Sequence, residues 1–267
     1  MERAFLFVSN TGEVNEDTTD PIPENGIESI LPGQDEAYRK KFPQIVYENY
    51  NNPSNFTITN NGQSAEFKIN DDCARPQISG GPLPKGTTYQ FESGHFHWGS
   101  DDSLGSEHVI DGQRYSLELH LVHSNTNYND LEEALNHRDG VAVLTIFYQA
   151  NPVQNLNGLQ DVSDALSRIR EYDSSTEITN FQLSGLFGSK RNFYYSYLGS
   201  LTTPPCSEAV NFIIFPTPVD VNPRQLEPFR LLLDANGDQL LYCIRVFSIK
   251  KSITKELEVF NMNWVPP

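Results

Sequence analysis

Apolar residues recur along this chain in two rhythms. From residue 54 onward, β-branched and aromatic residues alternate with polar ones in short segments between turn signals: FTITNNG, AEFKIND, YQFESGHFHWG, SLELHLVHS, VAVLTIFYQ and AVNFIIFPTP. A period of two belongs to extended strands with unlike faces, so these segments predict a strand-rich sheet. NDLEEALNH, with Leu131 and Leu135, and LQDVSDALSRIREY, with Leu159, Val162, Leu166 and Ile169, instead show spacings of three and four, the period of a helix. PRQLEPFRLLLDANG, with Pro223 near its start and Gly237 after it, predicts a third helix. Residues 9 to about 53, rich in Asn, Glu, Asp and Pro, show neither rhythm and read as irregular. The expected organisation is a divergent N-terminal segment over 1–53, then one mainly β domain over 54–267 with peripheral short helices.

Alternation also places the candidate chemistry. Four of the six histidines fall in GHFHWG (94–99) and ELHLVH (118–123). On a strand, His95 and His97 share one face, and Glu118, His120 and Val122 share one face of the other segment. If the two strands are neighbours, three imidazoles converge, leaving a fourth tetrahedral position open as in a catalytic zinc site. Glu118 can accept the remaining ring N–H of His120 and fix its tautomer. Imidazoles set among Phe, Trp, Leu and Val need a metal or a hydrogen-bond network to be satisfied. His108 and His123 read as structural, and His137 as an exposed turn residue.

Composition narrows the partners. Nineteen Lys+Arg against 35 Asp+Glu give a formal net charge of -16, which opposes attraction to nucleic acid or anionic lipid. No apolar run approaches the roughly 20 residues of a membrane span. The apolar patch Ala4 to Val8 is shorter than the roughly 7 to 15 residues of a signal-peptide core. Cys73, Cys206 and Cys243 cannot all pair within one chain, and whether any two do is left open.

With HFHWG (95–99), GSEH (105–108), ELHLVH (118–123), DGVAVL (139–144) and GSLTTPPCSE (199–208) in this order, the sequence resembles the alpha-class carbonic anhydrases over residues 54 to 235. The resemblance implies a twisted, largely antiparallel central sheet, a funnel-shaped site with zinc at its base, and reversible hydration of carbon dioxide to bicarbonate and a proton by zinc-bound hydroxide. His95, His97 and His120 match the zinc ligands, and Glu118 the carboxylate behind the third. Thr202 matches the threonine that orients the hydroxide, and Glu107 the buried glutamate to which that threonine donates. Val122, Val143, Leu201, Val210 and Phe212 match the apolar wall that suits a small uncharged substrate. A monomer is expected.

Several positions depart from the family pattern. The proton-exit position, after an Asn-Asn-Gly turn, is Gln63 where the fastest relatives carry histidine; an amide cannot relay protons by titration, so slower, more buffer-dependent turnover is expected. Ser93 stands where many relatives have glutamine, with Gly94 adjoining, so support for His95 is shorter or different. IESILP (27–32) only faintly resembles the family's Gln-Ser-Pro element, and Arg245 matches its C-terminal arginine within an altered segment. Cys206 resembles a cysteine bridged to an N-terminal partner in extracellular relatives, but no cysteine precedes Cys73. That context points outside the cell and the N-terminus points to the cytosol, leaving the compartment open. Asn55-Phe56-Thr57 is a possible glycosylation acceptor. The alternative function is a carbonic-anhydrase-like binding or adhesion domain with weak or no catalysis; such domains usually lose a ligand histidine, whereas all three are present here. A mineral-matrix protein would favour acidic or Gly/Asn-rich repeats, and none is present.

Overall fold

The period-2 segments fold as strands where the pattern places them. The computed structural model describes residues 4–9, 40–70, 74–110, 112–188, 191, 193–201, 207–240, 247–249 and 259–261. Its strands are β1 (Ala4–Ser9), β2 (Lys40–Phe42), β3 (Ile45–Glu48), β4 (Ser54–Asn60), β5 (Ala65–Ile69), β6 (Gln77–Gly80), β7 (Thr88–Trp98) and β8 (His108–Ile110). The second half supplies β9 (Leu117–Asn125), β10 (Val141–Ala150), β11 (Ser175–Phe181), β12 (Phe193–Gly199), β13 (Val210–Val221), β14 (Phe247–Ile249) and β15 (Val259–Asn261).

One large sheet runs in the order β11-β4-β5-β7-β9-β10-β13-β12-β1-β2, with β6 also on β7 and β3 on β6. β10 with β13 and β1 with β2 run parallel; the other ladders of this sheet are antiparallel among the described residues. A small sheet joins β15, β14 and β8. Among the described residues before 54, the chain contributes three short strands of three to six residues.

Three helices lie where the sequence predicts them, each shorter than the segment that predicts it. α1 (Leu131–Ala134) starts at Asp130, whose side chain accepts from the Glu133 N–H. α2 (Asn157–Leu166) ends where the Ser167 hydroxyl donates back to the Ser163 carbonyl at 3.1 Å, although Ile169 beyond it is still buried. α3 (Pro223–Arg230) opens on a capping box in which Asn222 and Gln225 exchange side-chain and main-chain bonds. No helix among the described residues is long and apolar enough to cross a membrane.

Because β9 and β10 are buried on both faces, alternation divides the interior in two. Phe96, Trp98, Leu117, Leu119, Leu121, Ala142, Leu144 and Ile146 face a large core shared with α2 and α3. Val122, Val141, Val143, Phe147, Val210, Phe212 and Ile214 face a second apolar cluster. Burying each such large side chain contributes about 1.5–3 kcal/mol. On the core face, the Phe229 ring lies 5.0 Å from Phe96 and 5.5 Å from Trp98, and the Trp98 indole N–H donates to the Leu240 carbonyl at 3.2 Å. Two residues flanking His97 are thereby fixed from behind, which holds its strand still.

Candidate metal centre

β7 and β9 pair antiparallel with His95 opposite His120 and His97 opposite Glu118. Directly opposed residues share a face, so the three imidazoles meet on the second apolar cluster's side. Their ring centroids lie 4.5 to 5.2 Å apart, and their candidate ligand nitrogens all fall within 4.8 Å of one another. His97 Nε2 and His120 Nδ1 are 3.1 Å apart, close to the separation of about 3.3 Å that two bonds of about 2.05 Å make at a tetrahedral zinc. His97 and His120 are sealed, whereas His95 is partly open, the asymmetry expected of a centre reached from one side.

Behind His120, Glu118 is fully buried and collects three donors. Oε1 accepts from His120 Nε2 at 2.5 Å and His108 Nδ1 at 2.6 Å, and Oε2 accepts from the His108 main-chain N–H at 2.8 Å. With its Nε2–H committed to Glu118, His120 presents a bare Nδ1 lone pair toward His97. His108 Nε2 in turn accepts from the Tyr197 hydroxyl at 2.7 Å. His108, Glu118 and His120 also bring potential ligand atoms together, but their contacts are those of a satisfied hydrogen-bond chain. The donor set suited to a metal is therefore His95, His97 and His120.

Electrostatics agree with the geometry. Burial, then His120, lowers the His95 pKa to about 3, and burial likewise holds His97 and His120 below the usual imidazole range. Burial raises the Glu118 pKa, but the opposing influence of His108 and His120 outweighs it and keeps the carboxyl ionised. Neutral imidazoles over a buried carboxylate are the protonation states that a divalent cation requires.

Val122 falls on the ligand face, where alternation places it, and the wall positions assigned by resemblance lie in the same apolar cluster. Val122 pairs with Val143, Phe212 with Val143 and Val210 with Val141, and Leu201, half-buried, packs on the same cluster. Ser93 lies opposite Val122, on the ligand face. Glu107 is buried, with Oε1 3.4 Å from His97 Nδ1. Gln63 is exposed on a turn whose N–H groups at 63 and 64 bond Asn61 Oδ1. Gly94 points into the core, where an added Cβ would stand 2.1 Å from Phe67 Cζ: the Phe67 ring fills the space a side chain at 94 would need. His123, as expected, is structural, accepting from the Tyr50 hydroxyl at 2.5 Å. His137 stacks on Tyr128 at the surface. Thr202, Cys73, Cys206, Cys243, Arg245 and the 27–32 element lie outside the described residues.

Three features escape reading from single segments. Glu66 opposes His95 across β5 and β7 and therefore shares its face, carrying Lys68 at 3.1 Å. Ser124 extends the ligand face two residues beyond Val122 and donates to Glu92, which pairs with Arg75 at 3.2 Å. The Ser64 hydroxyl bonds the main chain of Phe96, between two of the histidines. Strand register would have flagged the first two; nothing local in the sequence signals the third.

A profile of the eukaryotic-type carbonic anhydrases matches residues 31–249. Human carbonic anhydrase 3 is 41% identical over 187 residues, covering 70% of this chain and 70% of its own. The pig carbonic anhydrase 3 is 41% identical over 176 residues, 66% of each chain. Mouse carbonic anhydrase 7 is 39% identical over 183 residues, 68% of this chain and 67% of the relative. The strands, the histidine triad and these matches agree: the chain belongs to the eukaryotic-type carbonic anhydrase family.

Proposed function

We propose that the 54–267 domain catalyses the reversible hydration of carbon dioxide to bicarbonate and a proton, with zinc held by His95, His97 and His120. The observation that carries this reading is the convergence of three neutral imidazoles, two of them presenting nitrogens 3.1 Å apart, on the apolar face of the sheet. Zinc, when bound there, supplies a Lewis acid that makes water a nucleophile at neutral pH, the chemistry for which this family is the standard example.

The chain's own residues do the rest. Glu118 holds the His120 Nε2 proton and so aims Nδ1 inward. Val122, Val143, Val210, Phe212 and Leu201 provide an apolar surface for an uncharged substrate and exclude ordered water. Glu107, buried beside His97, holds the position at which the family resemblance would have a carboxylate take the hydroxyl proton of Thr202 and so orient the nucleophile. Gln63, exposed at the turn, carries no titratable proton, so export depends on buffer and turnover is slower than in relatives with histidine there.

Stopped-flow carbon dioxide hydration on metal-assayed protein tests this, with His120→Ala as the inactive control. Stoichiometric zinc without hydration would replace the enzyme reading by that of a binding domain. Gln63→His is expected to raise the rate in low buffer and change little in high buffer; equal rates in low buffer would remove Gln63 as the limiting position.

A further inference from the structure

The ladder between β5 and β7 contains two pairs, Glu66 with His95 and Phe67 with Gly94. Continued in register, Ala65 would meet Phe96. The chain instead turns away toward Gln63, and the buried Ser64 side chain takes over the pairing. Its hydroxyl donates to the Phe96 carbonyl at 2.6 Å and accepts from the Phe96 N–H at 3.1 Å. One side chain thus satisfies both main-chain groups of a residue that is itself fully buried, where orphaned groups would be costly.

Phe96 is the single residue between His95 and His97. Its φ and ψ set the angle between two of the three imidazoles, and its ring is pinned from the core by Phe67 at 5.8 Å and Phe229 at 5.0 Å. Among the described residues, Ser64 is the anchor of the Phe96 main chain on the β5 side. Ser64 is itself held: its N–H donates to Asn61 Oδ1 at 2.8 Å and its carbonyl accepts from the Asn61 N–H at 3.1 Å. The Asn-Asn-Gly turn that carries Gln63 is therefore bolted to the metal strand through one hydroxyl.

We infer that Ser64 is a positioning residue for the metal centre, fixing the His95–Phe96–His97 backbone so that the two imidazoles are preorganised for the ion. This rests on the zinc reading above. A site whose ligands are preorganised releases its ion slowly, since ligand departure requires the strand to move. Removing the hydroxyl leaves the three histidines and Glu118 in place but frees the segment that spaces two of them.

The test is zinc release from the holoprotein into excess chelator, together with the visible absorption spectrum of the cobalt(II)-substituted protein, which reports ligand geometry. Ser64→Ala and Ser64→Cys, the latter keeping the volume, are each expected to speed release about tenfold, as loss of outer-shell support does elsewhere, and to alter the cobalt bands. Ser116→Ala is the control: that hydroxyl also bridges two main-chain groups, the Asp102 carbonyl at 2.7 Å and the Ala150 N–H at 3.0 Å, neither of them in the His95–Phe96–His97 segment. It should lower the urea midpoint while leaving the bands unchanged. Should Ser64→Ala fail to fold, Ser64→Cys decides. Wild-type release rate and spectrum in the Ser64 variants, with zinc bound by the wild-type chain, overturn the inference alone; a wild-type chain that takes up no zinc overturns it together with the zinc reading.

Discussion

Replacing Gly94 by alanine tests how the metal strand is packed. The new Cβ would stand 2.1, 2.5 and 2.8 Å from three atoms of the Phe67 ring, against about 3.5–4.0 Å for an unstrained carbon contact. The ring must therefore move by more than an ångström. It is surrounded by Phe56, Phe91 and Phe96 at centroid distances of 5.8 to 6.0 Å, and interiors packed at this density have no such room. Overpacking of this kind costs about 1–3 kcal/mol, offset in part by the roughly 0.5–1 kcal/mol that alanine gains over glycine within a strand. A net loss of about 1–2 kcal/mol is expected. Phe67→Leu shrinks the obstacle, so Gly94→Ala should cost less, by about 1 kcal/mol, in that background than in the wild type. The assay is urea unfolding of wild type, both single variants and the double variant, a closed cycle. Costs that add to within about 0.3 kcal/mol would refute the contact as the reason glycine stands beside the first histidine.

Three further outcomes are expected. Glu118→Gln, which loses the charge and one acceptor of the hydrogen bonds from His108 and His120, should weaken zinc affinity by about 10- to 100-fold in chelator competition. Thr145→Val should stabilise the protein by roughly 1 kcal/mol in the same urea assay, because the Thr145 hydroxyl is buried with no hydrogen-bond partner among the described residues and its removal relieves a desolvation cost. The metal-free protein should lose stability on acidification: burial lowers the His123 pKa from 6.5 to about 4, so the unfolded chain binds more protons below pH 6.5, and this histidine alone accounts for about 2 kcal/mol lost between pH 7 and 5. An unfolding free energy independent of pH across that window would contradict the neutral, Tyr50-bonded state of His123.

Local pattern carries far in this chain because alternation is a local property. Period 2 in SLELHLVHS and VAVLTIFYQ gives not only strands but faces, so the grouping of Glu118, His120 and Val122 follows from the sequence, and the ladder between β7 and β9 adds only who is opposite whom. Two helices are legible as apolar positions at 131–135 and 159–169, and the third through Pro223 near its start and Gly237 beyond it. Apart from the Pro223 start of α3, their ends are not, since these depend on caps and back-bonds such as Ser167 to Ser163.

By itself, then, the sequence determined the strand-rich class, the two histidine-bearing strand faces and the carboxylate behind His120, because each is set by residues two apart. Only the tertiary structure decided the matters that join distant segments. Register placed Glu66 opposite His95 and Ser124 against Glu92; packing made a side chain at Gly94 costly through Phe67, a residue 27 positions away; and a break in a two-pair ladder gave the Ser64 hydroxyl a main-chain partner at Phe96. Those relations are long-range contacts, fixed when the chain closes its sheet, and no short window of sequence contains both partners.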